Sequence, residues 1–211
     1  MLMKRMLTAA VAALLLLTAV ACAEPAADPI PEQTAVPQAD AAGEPAEEES
    51  AVAFGSFTAK ALDNSEVTDA VFGNAELTMV NIWATFCGPC LHEMPDLAEL
   101  AAEYADQKVQ IIGVVGDVGD EQGNVTEQEL AVVQEKVDDT GADYLHLLPS
   151  ADLRQIVLNH IYAYPTSVFV DREGNILGSA IVGARSKADW QKAIDAMLKL
   201  ATMDQEAVDA A

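Results

Sequence analysis

Basic side chains are scarce in this 211-residue chain: Lys and Arg total 11 against 34 Asp and Glu, for a formal net charge of -23. So acidic a surface repels phosphate backbones, which argues against nucleic acid as a partner. Aromatic residues make up only 5% while apolar residues make up 51%, so a core must rest on Ala, Val, Leu and Ile with few rings as anchors. Beyond the first 21 residues no apolar run approaches the roughly 20 residues that cross a bilayer, which argues against a permanent spanning helix. Cysteine is limited to Cys22, Cys87 and Cys90. Without a second CxxC, a four-ligand zinc site would need distant His or carboxylate groups. Covalent haem needs C-x-x-C-H, and Leu91 stands where that His would be.

What is present begins with an address. Lys4 and Arg5 precede an apolar run from Met6 to about Ala21, followed by Cys22. This basic, apolar, small-residue order predicts an export signal over residues 1–21. Ala19-Val20-Ala21 fits an ordinary signal peptidase site. With Cys22 it also resembles the lipobox of bacterial lipoproteins, although Ala19 stands where Leu is usual. In the second reading Cys22 is lipidated and anchors the chain to the cell membrane. In the first the protein is secreted or periplasmic, and Cys22 is an odd thiol in an oxidising compartment.

Residues 22–50 hold five of the nine prolines, eight acidic residues and no basic one. Such a segment cannot bury enough surface to offset chain entropy, so a disordered, self-repelling tether is expected. Residues 51–203 suit one domain, with 204–211 as a tail. Most of the acidity lies in this part, which has nine basic and 26 acidic residues from position 51 onward.

The pattern in that domain alternates. Phe57 to Leu62 predicts a strand ending at the Asp63-Asn64 turn, and Leu77 to Ala84 and Val109 to Val115 predict strands buried on both faces. Cys87 to Tyr104 has helical period, with Pro95 removing one donor within it. Thr126 to Asp139 predicts a helix opened by a Thr126/Glu129 capping box. Ala151 to His160 predicts a short helix, Ser167 to Val170 and Ile176 to Ile181 a hairpin, and Ser186 the cap of a last helix ending near Met203. The fold class is α/β, a sandwich with a mixed sheet.

The segment Trp83-Ala84-Thr85-Phe86-Cys87-Gly88-Pro89-Cys90 lies where a buried strand turns into a helix. Two cysteines at this spacing can close a small disulfide. Cys87 falls at the helix N-terminus, where free N–H groups and the dipole favour a thiolate, so its pKa is expected to be depressed. Cys90, one turn further in, is placed to attack a mixed disulfide made by Cys87. A purely structural staple is a poor alternative, because so short a loop constrains the unfolded chain little. A copper chaperone using His160 as third ligand remains a rival.

Trp83 to Cys90 resembles the thioredoxin superfamily motif. The longer run VNIWATFCGPCLHEMP, Val80 to Pro95, resembles the TlpA/ResA-like branch of exported oxidoreductases. Tyr164-Pro165-Thr166, followed by SVFVD and REGNILG, resembles the cis-proline loop and closing hairpin of the same fold. The resemblance implies a thioredoxin-like fold with a TlpA-type β/α insertion supplied by residues 109–150. It also implies a cis peptide at Pro165, whose turn presents backbone groups to an extended partner segment. Phe86 replaces the usual Trp before the first cysteine, and Tyr164 is larger than the common Val, Ile or Thr.

Glu93, three residues after Cys90, lies on a stripe with Leu97, Leu100 and Tyr104. It is either a boundary carboxylate reaching solvent or, as the resemblance implies, a partly buried acid of raised pKa that tunes the thiols and moves protons. Asn81 takes the strand position at which cytoplasmic thioredoxins carry a buried Asp. His92 is expected on the surface, Trp83 in the core or site wall, and His146 and His160 without special roles. The acidic residues of Asp117 to Glu129 read as a solvated loop and helix start.

Gly88-Pro89 resembles the reducing thioredoxins, so the expected activity is reduction of protein disulfides. The redox-active Cys87-Cys90 pair would need no further cofactor and no metal. The resemblance implies a membrane electron donor of the CcdA/DsbD kind. Expected clients are disulfide-containing envelope proteins, among them apocytochrome c or a methionine sulfoxide reductase. A thiol peroxidase on the same fold is the second rival.

Overall fold

The computed structural model describes residues 52–209. The expected signal peptide, Cys22 and the tether lie outside the described residues. In chain order the elements are β1 (Thr58–Lys60), β2 (Glu66–Thr68), β3 (Leu77–Trp83), α1 (Gly88–Tyr104), β4 (Val109–Val115), α2 (Glu127–Thr140), β5 (Leu145–Leu147), α3 (Ala151–Ile156), β6 (Thr166–Asp171), β7 (Ile176–Val182) and α4 (Lys187–Asp209). β1 and β2 form a small antiparallel hairpin, and the other five strands form a mixed sheet in the order β5-β4-β3-β6-β7. β3, β4 and β5 run parallel, while β6 and β7 are antiparallel to their neighbours.

All seven residues of β3 are buried, as its unbroken apolar run requires of a central strand covered on both faces. One face packs Val80, Ile82, Ile112 and Val170 against Phe54, Phe57 and Phe72. Those three rings, of the five phenylalanines in the chain, meet edge to face at 5.2–6.0 Å. The other face packs Leu77, Met79 and Phe169 against Leu97 and Leu100 of α1 and Trp190 and Ile194 of α4. A third cluster at the C-terminal end of β3 and β4 holds Trp83, Cys87, Cys90, Met94 and Val115.

The helix starts follow their capping residues. Thr126 Oγ1 accepts from Glu129 N at 3.2 Å while Glu129 Oε2 accepts from Thr126 N at 2.8 Å, the reciprocal pair expected from the spacing. Ser186 Oγ accepts from Asp189 N at 3.3 Å at the start of α4. α1 continues through Pro95 to Tyr104. α4 runs beyond the expected end at Met203 into Asp209, because Gln, Glu and Ala in that stretch favour helix. The short strands β2 and β5 were not anticipated: three residues carry too little period to be distinguished from loop, and only pairing defines them.

Candidate active site

The chain leaves β3 at Trp83, crosses Ala84 to Phe86, and enters α1 at Gly88 with Cys87 as the N-cap residue. Cys87 and Cys90 are joined in a disulfide, their Cα atoms 5.3 Å apart. Cys87 Sγ accepts from Cys90 N at 3.2 Å, so the outer sulfur lies among the unpaired donors of the helix start. Cys87 keeps a slight exposure of 6% and Cys90 has none, which sets the order of access expected from the spacing. Gly88 and Pro89 are exposed, and a Cβ on Gly88 would meet nothing within 4 Å. The approach to the disulfide is therefore open.

The loop between β3 and α1 is tied down by a residue that the sequence reading left in solvent. Asp117, just beyond β4, is half-buried and accepts from Thr85 N at 2.9 Å and from Thr85 Oγ1 at 2.6 Å. This corrects the reading of Asp117 as part of a solvated loop. Its partner is 32 residues away, so no local pattern reveals the bond. Phe86 in that loop is 76% exposed, and its ring meets Tyr164 edge-on at 6.2 Å.

The Tyr164–Pro165 peptide is cis, as the resemblance implied. Pro165 is buried, and its carbonyl accepts from Gly183 N at 2.8 Å. Tyr164 packs against the cluster holding both cysteines and lies over Gly116, where an added Cβ would collide with the phenol oxygen. The large residue before the proline is thus accommodated by the glycine that follows β4, a pairing invisible without the sheet. Burial, and after it the charge of Asp117, raises the pKa of the Tyr164 phenol.

Glu93 is buried, at 1% exposure, so it is not a boundary carboxylate reaching solvent. Its Oε1 accepts from Asn81 Nδ2 at 3.0 Å, and its Oε2 accepts from Arg185 N at 3.0 Å and Trp190 Nε1 at 3.1 Å. Burial pushes its pKa up, opposed by those three donors. Asn81 Nδ2 donates also to Ser167 Oγ at 3.0 Å. Arg185, Trp190 and Ser167 lie 86 residues or more from their partners here, and nothing local marks them.

Ser167, Asn81, Gly113 and His146 are register partners in one row across β6, β3, β4 and β5. His146, expected to have no special role, is 2% exposed and accepts from Trp83 Nε1 at 3.2 Å. His92 and His160 are exposed. Among the described residues no group of three His, Cys, Asp or Glu is placed to hold a metal ion.

Residues 51–178 match the model of the AhpC/TSA family. Among curated relatives, the thiol-disulfide oxidoreductase ResA of Halalkalibacterium halodurans is 34% identical over 103 residues, covering 46% of this chain and 49% of that one. The thioredoxin-like protein YneN of Bacillus subtilis is 28% identical over 142 residues, covering 66% and 75%. The chain thus spans about half the length of the first of these relatives. A thiol:disulfide interchange protein of the thioredoxin family from Chlorobium tepidum superposes with a TM-score of 0.60 at 24% identity, over 72% of this chain and 99% of that one. These likenesses bear out the expected resemblance and the thioredoxin-like fold. With well over half of its length matched to the family model, the chain belongs to the AhpC/TSA family.

Proposed function

We propose that this protein is a thiol–disulfide oxidoreductase acting outside the cytoplasm, with Cys87 as nucleophile and Cys90 as resolving residue. The observation that carries the reading is the Cys87–Cys90 disulfide closed across the start of α1, with the outer sulfur at the N-cap and the inner one fully buried. In the reduced protein the helix terminus stabilises the Cys87 thiolate. It attacks one sulfur of a partner disulfide, forming a mixed disulfide and expelling the partner's other sulfur as a thiolate that takes up a proton. Cys90, having lost its proton, then attacks Cys87 Sγ and releases the second partner sulfur. Two electrons pass from the dithiol to the partner.

Glu93 is assigned to tuning the thiols and accepting a proton from within the fold, since it is the buried carboxylate on the helix that carries both cysteines. Pro165 is assigned to presenting the partner segment, with Trp83, Phe86, Gly88, Pro89 and Tyr164 forming its surroundings. Gly88-Pro89 between the cysteines favours the reducing direction. The clients are disulfide-containing envelope proteins, apocytochrome c and methionine sulfoxide reductase among them. A membrane donor of the CcdA/DsbD kind returns the electrons, and a lipid on Cys22 holds the protein at the membrane.

The test is reduction of insulin disulfides together with trapping of mixed disulfides on Cys90→Ser. Cys87→Ser is expected to lose all exchange, and Cys90→Ser to accumulate partner adducts in an envelope extract. Full activity in Cys87→Ser, or turnover of hydrogen peroxide in place of protein disulfides, would overturn the reading. Unchanged membrane association in Cys22→Ala would remove the lipid anchor.

A further inference from the structure

Trp83 is the last residue of β3, has no exposed surface, and shares a buried cluster with Cys87 and Cys90. Its indole N–H is therefore a buried donor that needs a partner. The partner is His146 Nδ1 at 3.2 Å, with the two rings edge to face at 5.6 Å between centroids. On its other side His146 Nε2 lies 2.9 Å from the carbonyl oxygen of Ala142. A carbonyl only accepts, so Nε2 carries the ring proton and Nδ1 is left free to accept from the indole. Both flanking groups select the same neutral tautomer, and burial pushes the imidazole pKa down to about 4, which keeps it neutral.

The sheet leaves room for this bond at Gly113. Gly113 on β4 pairs with His146, and a Cβ there would collide with His146 Nδ1 and come within 3.1 Å of Trp83 Nε1. Tyr144 lies against the imidazole, its ring tilted by 32° with centroids 4.4 Å apart. β5 is a three-residue strand at the end of the sheet, held by the buried Leu147 and by a bridge from Leu147 to Ala61. His146 is the polar link by which this strand reaches the residues around the disulfide.

We infer that His146 is a positioning residue for the Cys87–Cys90 couple, acting through the indole of Trp83. The imidazole fixes the orientation of the indole, and the indole forms part of the wall against which the two sulfurs move between disulfide and dithiol. The inference rests on the proposed redox role of the two cysteines and adds a residue that never touches them.

Two measurements test it. In 15N-labelled wild-type protein the Trp83 indole signal, assigned by its loss in Trp83→Phe, is expected to be protected from exchange. It and the His146 ring nitrogens are expected to shift on reduction of the disulfide. If none of these signals moves between the two redox states, the inference is overturned. The second measurement is redox equilibrium with glutathione. The inference requires the Trp83–His146 bond to be stronger in the disulfide form, where it is seen, so His146→Phe removes more stabilisation from the disulfide than from the dithiol and the equilibrium is expected to move roughly tenfold toward the dithiol. His146→Asn, which keeps an acceptor near Nδ1, should recover part of that shift. In a Trp83→Phe background, which has no N–H to orphan, the His146→Phe shift should vanish. A shift of equal size in both backgrounds makes His146 a packing residue and overturns the inference. Retained exchange in Cys87→Ser would instead overturn the proposed function, so the two failures are distinct.

Discussion

The two faces of the central sheet bury their side chains equally well but by different means. One closes on Phe54, Phe57 and Phe72, with apolar contacts and edge-to-face rings. The other, besides packing Leu77, Met79 and Phe169 against α1 and α4, takes in Ser167, Asn81 and His146 on a single cross-strand row, with Glu93 set above it from α1. Apolar surface is non-directional and tolerates any well-packed arrangement, whereas each buried polar group demands a particular partner. The polar row therefore costs stability to assemble and constrains geometry, and it lies on the face covered by α1, the helix that begins at Cys87 and holds Cys90. Both faces carry an apolar core, and the candidate site lies on the side that adds the buried polar row.

The largest effect that would test this division is on the apolar face. Phe72→Ala removes a ring with 3% exposure and is expected to lower unfolding stability by about 3–5 kcal/mol in denaturant titration. The rate of disulfide exchange per folded molecule should stay the same. A large change in that rate would show that the faces are not independent.

On the polar face the expected effects depend on pH, with opposite signs. His146 has a folded pKa of about 4, below its ordinary value of 6.5, so the unfolded chain takes up its proton first as pH falls. Its contribution is present above the unfolded value and is lost as pH drops from 6.5 toward about 4. The loss is on the order of 3 kcal/mol, at about 1.4 kcal/mol for each pH unit between the two values. His146→Phe should remove that part of the acid-side loss. Glu93 has a raised folded pKa, so its contribution is present below the unfolded value and is lost as pH rises through the folded one. Glu93→Gln should flatten the stability profile on that side. It should also remove one inflection from the pH dependence of disulfide exchange; an unchanged profile would take Glu93 out of the chemistry.

The smallest effect on stability belongs to neither face. Phe86 is mostly exposed, so Phe86→Ala should change stability by no more than about 0.5 kcal/mol. If its ring forms a surface for protein clients, KM for insulin should rise while exchange with glutathione disulfide is unaffected. Equal losses with both substrates would place Phe86 in support of Cys87 instead.

Much of this is legible in the sequence. Val80 to Pro95 carried the strand-to-helix turn with both cysteines, Thr126 and Glu129 announced a capping box, and the family resemblance of Tyr164-Pro165-Thr166, rather than the residues alone, pointed to the cis turn. Each is a signal written over a few adjacent residues. Glu93 was conspicuous because an acid interrupted an apolar stripe, but its depth was undecided, since a helix stripe does not say what covers it. Asp117 was misread because an acidic residue in a loop ordinarily faces water, and its partner Thr85 lies on a different connection. His146 was passed over because a lone His in a three-residue strand carries no period.

Composition and short-range pattern by themselves determined that the chain is acidic, that its described part is α/β, and which two sulfurs are close enough to pair, because charge, period and CxxC spacing are properties of neighbouring residues. Only the tertiary structure decided that Glu93 is sealed beneath Arg185 and Trp190, that Tyr164 rests on Gly116, and that Trp83 is held by His146. Those relations join residues tens of positions apart through strand register and helix packing. A buried polar group finds its partner in space, and sequence distance does not record which one it will be.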